Sequence, residues 1–236
     1  MHDIVAVIPA RGGSKNVPNK NLAPVGGRPL LCWTIAAALQ SRRITRVVVS
    51  TDSEAIAQVA LAAGAEVPFL RPAALAADDT PGIAPILHAV HWLGDHERYY
   101  PDAVACLQPT SPLRTAQDVD AAVALAERVG ADAVVSGVAA AHHPFWMKQL
   151  EPDGRVRPFL PDTAPVTRRQ ELPPVYALNG AIYLARRRVL VEQETWYTDR
   201  TFMYVMPEDR SLDLDTPWGV HLADLLLTSR QSDETV

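Results

Sequence analysis

The sequence predicts an α/β fold with a mostly parallel central sheet flanked by helices. Three features predict it. Short β-branched, apolar runs such as "IVAVI" at 4–8 and "TRVVVST" at 45–51 suit strands buried on both faces. Segments of helical period separate those runs, which implies right-handed crossovers between parallel strands. Proline, aspartate and serine stand at junctions where helices begin.

The elements follow in order. A strand at 4–8 precedes a helix at 29–41 that starts on proline, a strand at 45–51, and a helix at 53–63 capped by Asp52 or Ser53. A short strand at 67–70, a helix at 83–93, a strand at 103–108, a helix at 116–129 and a strand at 133–138 continue the alternation. From 144 to 174 the pattern breaks, with seven prolines and no sustained period. Such a stretch inside a compact domain marks a functional excursion or an interface arm. Strands at 181–185 and 202–206 and a helix at 217–228 complete the pattern. The expected organisation is one domain over 1–236 with an extension inserted at 140–175.

Composition narrows the function. At 236 residues, 48% hydrophobic and 21% charged, the chain can bury a substantial core. No apolar run approaches a membrane span and no leader pattern opens the sequence, so a soluble, cytoplasmic protein is expected. Cys32 and Cys106 read as small buried hydrophobes rather than as a disulfide or metal ligands. A net charge of −5 argues against a nucleic-acid partner, yet the charge is unevenly spread. Between Ile4 and Thr51 there are seven Lys or Arg residues and no Asp or Glu. That distribution fits a local anion site. Arg42, Arg43 and Arg46 are assigned to a solvated helix end.

The remaining cations concentrate in "IPARGGSKNVPNKN" at 8–21, behind a buried strand. Loops at the carboxyl ends of parallel strands are where open α/β sheets bind ligands. Gly12 and Gly13 let a backbone approach closely and present N–H groups, and Arg11, Lys15 and Lys20 neutralise charge. Phosphate is the expected ligand. The loop is neither GxxxxGK[ST] nor GxGxxG, so it is neither a Walker A loop nor a dinucleotide fingerprint. Near the other end, "SLDLDTP" places Asp213 and Asp215 two residues apart on one face of a strand end, with Leu212 and Leu214 on the other. Paired carboxylates suit Mg2+ shared with substrate phosphates. Asp215 has the simpler alternative of capping the helix that follows.

Together, "IPARGGSKNVPNKN", "LQPTSPLR" at 107–114, "RRQELPPVYALNGAIY" at 168–183 and "LDLDTP" resemble the acylneuraminate cytidylyltransferases, the CMP-sialic acid synthetase family, in order and over nearly the whole chain. The resemblance implies a Rossmann-like nucleotidyltransferase fold with a small dimerisation extension. It implies transfer of CMP from CTP to the anomeric hydroxyl of a nonulosonic acid, with Mg2+ required and pyrophosphate released. It also implies a homodimer in which the extension reaches the neighbouring subunit's site.

Residue by residue, Arg11, Gly12, Gly13, Ser14, Lys20 and Asn21 match the CTP-binding loop, with Arg11 and Lys20 on the phosphates, and Arg71 matches an arginine near cytidine. Asp213 and Asp215 match the metal carboxylates, Asp215 also lying near the attacking hydroxyl. Arg11, Lys20 and Asp215 form the expected catalytic set. Gln108, Arg169, Asn179 and Tyr183 match sugar-acid positions, with strand-end, turn and core roles as their structural alternatives. Two departures stand out. Gly82 and Ile83 occupy the neighbourhood of an expected base-holding serine, and Trp146 stands where a lysine is expected, with Lys148 two residues on. A legionaminic or pseudaminic relative of sialic acid is thus a candidate acceptor. The rivals are a sibling enzyme using Kdo or a sugar phosphate, a non-catalytic nucleotide-binding module, and a Rossmann dehydrogenase using Asp52. His142 and His143 read as hydrogen-bonding loop residues, since no third ligand stands at metal spacing.

Overall fold

The computed structural model describes residues 1–14, 17–160 and 168–233, with backbone alone at Arg169 and 231–233. The chain runs through β1 (Ile4–Pro9), β2 (Pro24–Val25), β3 (Arg28–Pro29), α1 (Leu30–Gln40), β4 (Arg46–Ser50), α2 (Glu54–Ala62), α3 (Ala84–Glu97), β5 (Ala103–Cys106) and α4 (Ala116–Val129). It continues through β6 (Ala133–Ala139), β7 (Lys148–Leu150), β8 (Val156–Pro158), β9 (Tyr176–Arg186), α5 (Arg187–Gln193), β10 (Thr201–Val205) and α6 (Pro217–Asp233). Six strands form the central sheet in the order β10-β6-β9-β5-β1-β4. All neighbours are parallel except β9, which runs antiparallel to β5 and β6.

Strand alternation sorts the core. In β1, Ile4, Ala6 and Ile8 pack with Leu31 and Ile35 of α1, Ile56 of α2 and Val123 of α4. Val5 and Val7 point the other way, to Ile86, Val90 and Leu93 of α3 and Leu190 of α5. Both faces of β1 are therefore covered, which is why its sequence is apolar throughout. A third cluster joins Val25, Leu30, Leu113, Leu214 and Leu227, so α6 seals the β2–β3 hairpin and fixes the segment at Leu214.

Local differences from the sequence reading have physical causes. The expected strand at 67–70 is reduced to isolated bridges, Val48 with Glu66 and Thr51 with Leu70. β9 begins at Tyr176, five residues before the expected 181, because an irregularity interrupts its period where Val135–Gly137 of β6 opposes Leu178–Tyr183. There Gly180 takes φ +70, and the bulge re-aims Asn179. The β2–β3 turn uses Gly26 and Gly27 at φ +54 and +76, the left-handed pair that a tight hairpin requires. Ser53, rather than Asp52, caps α2, accepting from Ile56 N–H at 3.4 Å.

The 144–174 stretch contains the antiparallel β7–β8 hairpin. It leaves the sheet after Ala139 and returns at Tyr176, and Ala140 N–H donates to the Val175 carbonyl at 3.0 Å across the neck. His143 ties the neck again. Its Nδ1 accepts from Phe145 N–H at 3.2 Å, which leaves Nε2 to donate to the Pro173 carbonyl at 3.1 Å. His143 is thus a hydrogen-bonding loop residue, as expected. The hairpin exposes Leu150, Val156 and Phe159, with Trp146 and Met147 beside them.

Candidate active site

The central crevice opens at the carboxyl ends of β1 and β5, where the parallel strands β1, β4 and β5 release their loops. It encloses about 320 Å³ between Arg11, Ser14, Lys20, Asn21, Arg71 and Gln108, with Gly82 and Pro85 on the far wall. The structure therefore brings most of the expected nucleotide residues, and Gln108, around one cavity. Lys15 lies outside the described residues.

Each element of the loop has a local cause. Gly12 N–H donates to Asp52 Oδ1 at 2.9 Å, and a Cβ at Gly12 would stand 3.2 Å from Ser53 Cβ, so a side chain there would require Ser53 to shift by a few tenths of an ångström. A Cβ at Gly13 meets nothing among the described residues within 4 Å, so packing does not demand that glycine. Gly13 instead lines a small side pocket with Arg11, Ser14 and Asp78. Asn21 is buried, and its amide donates to the Arg11 carbonyl at 2.9 Å. Its side chain shapes the loop from behind. Asp52 is engaged by the loop, which removes the basis of the dehydrogenase reading.

Every described cation of the crevice faces a carboxylate. Arg11 pairs with Asp78 at 2.8 Å, Lys20 with Asp215 at 3.2 Å, and Arg71 with Asp52 at 3.7 Å. The last separation is too long for a hydrogen bond. Arg71 is only 5% exposed, and its Nε and Nη2 have no hydrogen-bond partner among the described residues. Burial lowers its pKa, with Asp52 acting in the opposite direction. Buried donors without partners are costly, so Arg71 is primed for a polar ligand.

The carboxylate pair sits on the crevice rim. Leu214 N–H donates to the Thr110 carbonyl at 3.0 Å and the Leu214 side chain is buried, so Asp213 and Asp215 project from the opposite side of an extended segment. This is coil rather than the expected strand end, yet the alternation survives. Lys20 Nζ reaches the Leu214 carbonyl at 3.0 Å as well as Asp215. Partial burial and the neighbouring Asp215 push the Asp213 carboxyl above its usual range, although a hydrogen bond from Thr110 and the charge of Lys20 oppose them. Thr216 caps α6, its hydroxyl accepting from Gly219 N–H at 3.1 Å. The cap of α6 thus does not require Asp215, whose carboxylate bonds Lys20. Among the described residues no group of three or more acidic, His or Cys side chains forms a metal cage. The pair fits an ion that arrives with phosphates, since Mg2+ takes one or two carboxylates and fills its other positions from substrate and water.

The expected acceptor residues separate. Gln108 lines the crevice, and a Cβ at Gly180 would lie 2.7 Å from its Oε1, so that glycine makes room for it. Asn179 is 4% exposed: its amide donates to Ser211 Oγ at 3.0 Å, and its Oδ1 accepts from Ser136 Oγ at 2.6 Å and Ala181 N–H at 3.2 Å. The side chain lies within the frame of the site rather than on the crevice wall. Tyr183 packs beside Trp196 with ring centroids 5.7 Å apart, and burial pushes its hydroxyl up to about 12. Lys148 is exposed on β7, and the side chain of Arg169 lies outside the described residues.

Sequence reasoning missed Asp78, Thr110 and the anchor of the acidic segment. Asp118, fully buried, accepts from Arg210 Nε and Nη2 at 3.0 and 2.9 Å and from Tyr204 at 3.0 Å. Arg210 leads directly into Ser211–Asp215. No periodicity marks such a long-range pair.

Comparison with known proteins bears on this geometry. Residues 5–215 match the profile of the family described as "Cytidylyltransferase". The chain belongs to the cytidylyltransferase family. A relative from Legionella pneumophila named CMP-N,N'-diacetyllegionaminic acid synthase is 36% identical over 230 residues, covering 97% of each chain. An Escherichia coli N-acylneuraminate cytidylyltransferase is 34% identical over 221 residues, covering 93% of this chain and 51% of that protein. In three dimensions the cytidylyltransferase fold is shared with a CMP:2-keto-3-deoxy-manno-octonic acid synthetase solved with CTP, at a TM-score of 0.70 and 21% identity over 97% of this chain and 99% of that one. No helix among the described residues of this family member is long and apolar enough to cross a membrane.

Proposed function

We propose that the chain transfers CMP from CTP to the anomeric hydroxyl of a nonulosonic acid, with a legionaminic-type acid first among the candidates and pyrophosphate as the second product. The observation that carries this reading is the convergence of Arg11, Lys20 and Arg71 on one crevice with Asp213 and Asp215 at its rim. The names and coverage of the relatives support the acceptor class, and Trp146 at an expected lysine position favours an acceptor other than sialic acid itself.

Both substrates are anions, so bringing them together requires cations, and in-line attack on the α-phosphorus is helped chiefly by positioning and electrostatics. The glycine loop and Arg11 hold the phosphates. Lys20 exchanges its bond to Asp215 for a phosphate oxygen and offsets charge on the departing pyrophosphate. Asp215 is thereby released toward the acceptor. The sugar oxygen bonds to the α-phosphorus as the bond to the bridging oxygen breaks, and the hydroxyl proton passes to the carboxylate pair. Asp213 and Asp215 would hold Mg2+, which would supply further charge neutralisation and acidify the hydroxyl. Arg71 donates to the nucleoside end, and backbone groups near Gly82 and Ile83 select cytosine.

Gln108 orients the acceptor. The extension at 140–175 pairs two subunits through Trp146, Leu150, Val156 and Phe159, and carries Lys148 and Arg169 to the partner's acceptor pocket. The free thiols of Cys32 and Cys106 accord with a reducing cytoplasm, where CTP is made. The test is pyrophosphate release with CTP and Mg2+ across legionaminic, pseudaminic and sialic acids and Kdo. Turnover with at least one nine-carbon acid, well above that with Kdo, is expected. Turnover with Kdo alone, or with no acceptor, would overturn the proposal.

A further inference from the structure

A second cavity, of about 380 Å³, lies between the β2–β3 hairpin, α1, the start of α4 and α6, and shares no lining residue with the crevice. Among the described residues three arginines, Arg28, Arg114 and Arg230, stand on its wall, and no Asp or Glu does. Arg114 is 3% exposed. Its Nη1 donates to the carbonyls of Gln108 and Ala181 at 3.1 and 2.9 Å, while Nε and Nη2 are buried without a hydrogen-bond partner among the described residues. Burial lowers its pKa to about 10, so the group is still a cation at neutral pH. Of the nearby carboxylates, Asp118 is committed to Arg210, whereas Asp209 pairs with Arg230 of the wall at 3.1 Å and offsets part of its charge.

Two more donor groups, a side chain and a helix start, converge on the same space. Arg28 lies 3.5 Å above the Trp33 ring, and its Nε is also buried without a partner among the described residues. The fourteen-residue helix α4 begins at the cavity, with Thr115, Ala116 and Gln117 on the wall. Thr115 Oγ accepts from Asp118 N–H, so the first-turn N–H groups left over belong to Ala116 and Gln117. A helix N-terminus beside a buried guanidinium with unused donors favours an oxyanion.

We propose that this cavity is a second anion site, for a small phosphate-bearing metabolite whose phosphate takes the free donors of Arg114 and Arg28 at the start of α4. The volume exceeds that of a bare phosphate and falls in the range of small-molecule sites. The site is independent of the proposed catalytic reaction. It is tested by calorimetric titration of the full chain with inorganic pyrophosphate, free of divalent metal, in a Lys20→Ala background that disables the crevice. Saturable binding is expected to survive Lys20→Ala and to weaken at least tenfold on adding Arg28→Gln with Arg230→Gln, with CTP-dependent turnover retained when Lys20 is restored. Arg28 packs on Trp33, so Arg230→Gln alone, at a half-exposed position that gives up only its surface contacts with Asp209, provides a milder arm with a loss of about threefold. No saturable binding in the Lys20→Ala protein, or binding indifferent to the arginine changes, would overturn the assignment.

Discussion

Asp118→Ala should unfasten the acidic segment of the site. The carboxylate is fully buried and accepts from Thr115 N–H at 3.0 Å, Thr115 Oγ at 2.8 Å, Tyr204 and both forks of Arg210. Losing the reciprocal cap of α4 costs about 1 kcal/mol. Breaking a buried ion pair costs roughly 3–5 kcal/mol, but Arg210 retains 27% exposure and turns to water, which cuts that figure by about half. The total is about 3 kcal/mol, or a fall in Tm of about 6–12 °C for a chain of this size. Thermal unfolding followed by circular dichroism reads it directly. Asp118→Ala combined with Arg210→Ala should cost less than the sum of the two changes. Well below the new Tm, turnover should also fall, because Arg210 leads into Asp213 and Asp215. A Tm change under about 2 °C would refute the reasoning. Burial raises this carboxyl's pKa, but the bonds from Arg210, Thr115 and Tyr204 outweigh it and leave the pKa below the usual range. A depressed folded pKa means stability present above the unfolded value, about 3.9, and lost as pH falls through the folded one. Wild-type stability should therefore drop more steeply at acid pH than that of Asp118→Ala.

Three further outcomes are expected. Gly180→Ala places a Cβ 2.7 Å from Gln108 Oε1 at φ +70; the left-handed backbone costs about 1–2 kcal/mol, and acceptor KM should rise with CTP KM unchanged. An unchanged acceptor KM would remove Gln108 from the acceptor pocket. Lys20→Ala and Asp215→Asn should each lower kcat by about a hundredfold or more in a pyrophosphate-release assay with folding retained, the size of losing one transition-state electrostatic contact; near-normal kcat in both would leave their ion pair a surface feature. Co-expression of Lys20→Ala with Arg169→Ala should restore about a quarter of the sites if the extension serves the partner subunit. Mixed dimers without recovered activity would return Arg169 to its own chain.

The parallel sheet and the phosphate loop are legible in sequence because buried strands and glycine-rich turns leave short-range signatures. The counter-ions are not. Asp78 reaches Arg11 from a segment that reads as irregular, and Asp118 holds Arg210 across ninety-two positions. Asn179 shows the opposite limit: its neighbour Gly180 announces a special backbone, yet only the fold reveals that the amide serves Ser136 and Ser211. The bulge that positions it also hid the first half of β9. Asp215 kept two readings in sequence, metal ligand or helix cap, because only the fold shows the neighbouring Thr216 hydroxyl accepting from Gly219 N–H.

In the proposed reaction CMP, and not another part of the nucleotide, moves to the sugar acid. CTP labelled with phosphorus-32 at the α position, and separately at the γ position, tests it directly when incubated with Mg2+ and a legionaminic-type acid. The α label is expected in a sugar nucleotide and the γ label in pyrophosphate. A γ label on the sugar, or an α label released only as free CMP in an acceptor-independent reaction, would contradict it.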